Sequence, residues 1–147
     1  MKRIILTLAV MLSLVSISFA ADEEKVSAAV LQSFHSSFKQ AKEVDWTVKE
    51  NLYKAQFNLD GQYITVFYNL EGKMLGMTRN LAVQQLPIGL QTSLRNQVEG
   101  TWISELFEVS NEDGTTYYVT LENADTKQVL KSSGSGEWTS FQKLRKS

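Results

Sequence analysis

The chain contains no cysteine. Neither a disulfide nor a thiolate metal site can form, and a lipid anchor on a cysteine after a cleavage site is not expected. There is one histidine, His35, so a metal centre would lack a second nitrogen ligand. Charge of one sign is also missing, because acidic and basic residues are interspersed and nearly balanced. That balance gives no electrostatic argument for nucleic acid. The only basic cluster, Lys143 to Lys146, reads as a solvated tail. After residue 20 no apolar run approaches the roughly 20 residues of a bilayer span.

The first twenty residues have the three parts of a secretory signal: Lys2 and Arg3, then an apolar run from Ile4 to Ile17, then Ser18-Phe19-Ala20 as a small-x-small site. Cleavage between Ala20 and Ala21 is expected. The product would be a periplasmic or secreted protein with no membrane insertion after signal removal. It would have 127 residues and a net charge of −3, a size at which a single domain buries roughly two thirds of its unfolded surface.

Hydrophobic anchors occur twice. A shift of 56 sets Val30, Phe34, Ser37, Phe38 and Trp46 over Leu86, Leu90, Ser93, Leu94 and Trp102. A shift of 64 sets Tyr53, Ala55, Phe57, Val66 and Gly72 over Tyr117, Val119, Leu121, Leu130 and Gly136. The expectation is an α+β fold, a tandem repeat of a helix followed by a four-stranded antiparallel sheet with the helices packed on one sheet face. The repeats would run over residues 22–79 and 80–142 of a single domain, 21–147. Trp46 and Trp102, matched by the first shift, are expected to be buried core anchors.

The first helix should start near Asp22, with Glu23 and Glu24 in its first turn, and run to about Ala41. Val26, Val30, Leu31, Phe34, Phe38 and Ala41 share one stripe. Ser37 and its counterpart Ser93 fall in the stripes, where a small side chain would let each helix approach its sheet. Leu86-Pro87 announces the second helix and Gly100 its far end. Strands follow each helix: Val44 to Val48, Tyr53 to Leu59, Gln62 to Tyr68 and Lys73 to Thr78, then Trp102 to Ser110, Thr116 to Glu122, Lys127 to Lys131 and Glu137 to Gln142. Asp60-Gly61 and Asp113-Gly114 are hairpin signals.

Several of these features together carry a resemblance: the Leu-Pro before the second helix, Trp46 opening a strand, Tyr53-x-Ala55-x-Phe57, Tyr117-x-Val119-x-Leu121, and the Asn69-Leu70-Glu71-Gly72-Lys73 turn. Through them the chain resembles the PepSY-like, beta-lactamase-inhibitor-like exported bacterial proteins. The resemblance implies helices on one sheet face and an open face on the other, in a protein that binds other molecules without catalysis. Gln128 and Ser132, standing where the first half has Ile64 and Tyr68, depart from the pattern and leave the third strand of the second half open.

No catalytic constellation is legible. His35 lies beyond the edge of its helix stripe, and its counterpart Gln91 cannot do acid–base work. The acidic pairs sit beside strands and turns, where solvated carboxylates are ordinary. Ser36-Ser37-Phe38-Lys39 and Ser140-Phe141-Gln142-Lys143 match Ser-x-x-Lys, but the companion motifs of that chemistry are missing. No catalytic residue, metal ligand or cofactor is expected. Strand alternation instead places Tyr63 and Phe67, and with them Ile103, Phe107, Val109 and Tyr118, on the sheet face away from the helices. Tyr63, Phe67, Phe107 and Tyr118 are the candidate binding residues, because an aromatic patch on an open sheet suggests a partner surface. A bulge that buries these residues, or a homodimer that covers them, is the alternative. The leading function is a non-enzymatic exported module that engages a periplasmic or extracellular protein or peptide through this face. The second is a small-ligand carrier or sensor with an apolar pocket between the repeats.

Overall fold

A computed structural model describes Glu23 and residues 25–147. The expected signal segment, its cleavage site and the Asp22 cap lie outside the described residues. The elements in chain order are α1 (Ala28–Ser37), β1 (Lys42–Lys49), β2 (Leu52–Leu59), β3 (Gln62–Tyr68), β4 (Met74–Asn80), a 3-10 turn (Val83–Gln85), α2 (Ile88–Arg95), β5 (Trp102–Asn111), β6 (Gly114–Glu122), β7 (Thr126–Ser132) and β8 (Thr139–Arg145).

The eight strands lie side by side in chain order in one antiparallel sheet. This overturns the expected tandem repeat of helix plus four-stranded sheet. A sheet ending at β4 would leave a row of unpaired N–H and C=O groups. Instead β4 continues into β5, with Met77 opposite Ser110 and Asn80 opposite Phe107.

By contacts the described residues divide into two compact units, residues 25–61 with 65–74, and residues 62–64 with 75–147. In the first unit α1 is capped by Ser27, whose hydroxyl accepts from the Val30 N–H at 3.4 Å. It ends at Ser37, not at Ala41, because Phe38 leaves helical backbone space (φ −128°, ψ 57°). Val30, Phe34, Trp46, Ala55, Phe57, Val66 and Tyr68 are buried. The Phe34 ring stands edge-on to Trp46 at 5.2 Å and to Phe57 at 5.1 Å, the geometry that aromatic quadrupoles favour. β1 pairs with β2 so that Trp46 lies opposite Ala55 and Val48 opposite Tyr53. Gly72 permits the helix to sit close: its φ is +84°, and a Cβ there would lie 2.7 Å from the Ala29 carbonyl oxygen.

In the second unit Leu81, Leu86, Leu90, Leu94, Leu106, Val119, Leu121, Leu130 and Trp138 form one buried cluster. The Trp138 indole N–H donates to the Leu90 carbonyl at 3.2 Å, holding α2 to the segment before β8. The third strand of this half, left open by the sequence, is β7, with Leu130 opposite Val119 and Ser132 opposite Tyr117.

Two expectations about anchors fail. The shift of 56 sets buried Trp46 over Trp102, whereas the buried residue on β5 is Leu106. Trp102 lies four residues before Leu106 on β5 and is 53% exposed. Likewise Ser37 is exposed, while Ser33 and Ser93 are half-buried.

Candidate functional site

The site begins with the β5–β6 hairpin. Its turn is Glu112-Asp113, between the paired residues Asn111 and Gly114, one residue earlier than expected. The Asn111 side-chain oxygen accepts from the Asp113 N–H at 2.9 Å and so closes the turn. The register therefore slides by two residues relative to expectation, and a slide of two leaves every side chain on its face. Leu106 and Val119 pair on the core side. On the other face Phe107 lies directly opposite Tyr118, and Val109 opposite Thr116.

Direct opposition lets the two rings stack, with centroids 5.1 Å apart and planes 13° from parallel. Tyr118 also meets the edge of Phe141 at 5.5 Å. Phe141 owes its position to a bulge: Val129 pairs with Gln142 and Leu130 with Ser140, so Phe141 is the extra residue in β8. Bulges re-aim side chains in this way. The three rings, with Val109, Val129 and Leu144, line an apolar groove of about 440 Å³ whose rim includes Glu105 and Lys127. The Lys131 ammonium stands 5.3 Å from the centre of the Phe141 ring.

Of the four residues singled out from the sequence, Phe107 and Tyr118 come together here. Tyr63 and Phe67 lie on β3, Tyr63 67% exposed and Phe67 half-buried. Ile103, expected on the same face, is turned inward: a bulge between Ile103 and Glu105 sets it opposite Leu121 and against the buried cluster. Phe141 was not singled out, since only the register of β8 on β7 reveals its face.

Charged groups in this half are paired in two places. Arg79 Nε donates to the Glu108 carboxylate directly opposite on the sheet, and Arg79 Nη1 donates to the Gln62 side-chain oxygen at 3.1 Å. Glu108 is buried, and the guanidinium supplies the partner that a buried carboxylate needs. Near the end of β8, the Lys146 ammonium lies 2.7 Å from Glu122, donates to the Asn123 carbonyl at 2.8 Å and covers the Trp102 ring at 4.9 Å. Lys146 above all, with the Ser104 hydroxyl, holds the Glu122 carboxyl below its ordinary value of 4.5. His35 is exposed and touches the edge of the Phe34 ring at 5.6 Å. Among the described residues no group of three or more His, Asp or Glu side chains gathers as a metal site. No helix among them is long and apolar enough to cross a membrane.

No family model matches the sequence, and no curated protein matches it. Solved structures do match. A BLIP-like protein from Bacteroides fragilis superposes with a TM-score of 0.70 at 20% identity, covering 82% of this chain and 86% of that one. A DUF2874 family protein from Bacteroides ovatus gives 0.72 at 15% identity, over 82% and 88%. A candidate periplasmic protein from Bacteroides eggerthii gives 0.71 at 10% identity, over 82% and 88%. The chain has the fold of these BLIP-like and DUF2874 structures, and the resemblance read from its residues holds at the level of fold.

Proposed function

We propose that this chain is a non-enzymatic exported binding module that engages a protein or peptide through the sheet face carrying Phe107, Tyr118 and Phe141. The observation that carries this reading is the three-ring cluster lining a groove on the face opposite Leu106 and Val119. A sheet face turned to water is ordinarily polar, and binding energy at interfaces concentrates in a few aromatic anchors. The likeness to a BLIP-like structure and to a candidate periplasmic protein supports export and a binding role, as does the secretory pattern of residues 1–20.

The test compares wild type with Phe107→Ser and Tyr118→Ser. Mature protein serves as bait in a periplasmic extract, and each captured partner is then titrated against all three proteins after their melting curves are recorded. The expected result is folded variants with at least one losing more than about 2 kcal/mol of binding. Capture that both variants retain in full places the contact surface elsewhere.

A further inference from the structure

We propose that the outer edge of β8 receives an extended acidic segment of the partner, which adds to the sheet as one more strand and lays alternate apolar side chains into the groove. The inference rests on the reading that this sheet face is a binding surface, and it names the chemistry of what binds.

The edge is available. β8 is the last strand in the sheet order and pairs only with β7, so among the described residues no strand takes up its outward N–H and C=O groups. All seven of its residues are exposed. Two of them are large and apolar, Phe141 at 54% and Leu144 at 47% exposure, and both line the groove. Such an edge is a template for a further strand.

Charge selects the occupant. β8 carries Lys143 and Arg145 and no acidic residue, although the whole chain is slightly acidic. Neither side chain has an ion-pair partner among the described residues. A second copy of this chain paired antiparallel along β8 with Lys143 opposite Arg145 would set basic residues against basic ones, and like charges facing across strands repel. An acidic strand neutralises them.

Alternation then fixes the pattern. Gln142 lies opposite Val129 and Leu144 opposite Lys127, on the groove side, while Lys143 lies opposite Gln128 and Arg145 opposite Thr126, on the other side. Successive residues of an added strand would meet these two faces in turn, apolar toward Phe141 and Leu144, acidic toward Lys143 and Arg145.

The test is fluorescence anisotropy of the mature chain with labelled peptides of about eight residues, long enough to match β8. One alternates valine and glutamate, one alternates valine and lysine, and a third is the acidic peptide N-methylated at alternate amides. The acidic peptide is expected to bind, less tightly as salt rises, and roughly tenfold or more weakly when N-methylated or when the protein carries Lys143→Glu with Arg145→Glu. The charge-reversed protein should bind the lysine peptide instead. Equal binding of acidic and basic peptides, no binding of any, or indifference to N-methylation would overturn the inference. So would a wild-type dimer in sedimentation that the acidic peptide does not dissolve. If Phe107→Ser abolishes binding while charge reversal and N-methylation do nothing, the edge is wrong and the open-face reading stands. The reverse pattern keeps the edge and removes that reading.

Discussion

The first half of the molecule packs rings where the second packs aliphatic chains. Phe34, Trp46, Phe57 and Tyr68 are buried in the first, and Leu90, Leu94, Leu106, Leu121 and Leu130 in the second. Interiors do not tolerate voids, and Trp138 joins the leucine cluster from the segment before β8. The two halves reach a dense interior by different side chains. The comparison also shows why a tryptophan in a sequence does not by itself mark a core: Trp46 and Trp138 are buried, whereas Trp102 lies on the surface under Lys146.

The largest effects should separate these three tryptophans. Trp46→Ala and Trp138→Ala are each expected to lose about 3 to 5 kcal/mol in urea unfolding, from lost burial and the cavity left behind. Trp102→Ala should lose about 1 kcal/mol or less, the worth of an exposed cation–π contact. A Trp102 variant as damaged as the other two would restore it as a core anchor and break the comparison.

A middle-sized effect distinguishes the aromatic half through Tyr68. Its hydroxyl is buried with no hydrogen-bond partner at bonding distance, and burial pushes its pKa up to about 12, against a smaller opposing effect of the Ser33 hydroxyl. The folded pKa is raised, so this group's contribution is fully present below the unfolded value of about 10 and is lost as pH rises toward 12. Tyr68→Phe removes that alkaline loss. At neutral pH it should be nearly neutral or stabilising, since it deletes an unsatisfied polar atom. Melting curves of both proteins between pH 8 and pH 11 check this, and identical curves would contradict it.

The smallest effect belongs to the second half. The depressed Glu122 carboxyl contributes stability above its ordinary pKa of 4.5, and the contribution fades as pH falls through the lower folded value. Glu122→Gln should flatten that acid-side loss and leave stability at pH 7 little changed, because exposed ion pairs are weak. Thermal melts from pH 3 to pH 7 resolve the difference.

Much of the secondary structure was legible because it rests on local rules. Trp46, Ala55, Phe57, Val66 and Tyr68 fall at alternate positions of their strands and are buried, and Asp60-Gly61 does make a turn with both residues at positive φ. Errors arose where position along a strand depended on its neighbour. The turn moved from Asp113-Gly114 to Glu112-Asp113, yet Phe107 and Tyr118 kept their faces because the slip was even. Ile103 changed face because a bulge adds an odd residue.

By itself, then, the sequence determined which residues are apolar, how they alternate, and where glycine and asparagine let the chain turn, since these depend on residues close along the chain. Only the tertiary structure decided that β4 would pair with β5 in one sheet, that Leu106 and not Trp102 would enter the core, and that Phe141 would join Phe107 and Tyr118. Each of those outcomes depends on hydrogen-bond register between strands, and an extra residue at a bulge changes the face of a side chain without leaving a local pattern to read.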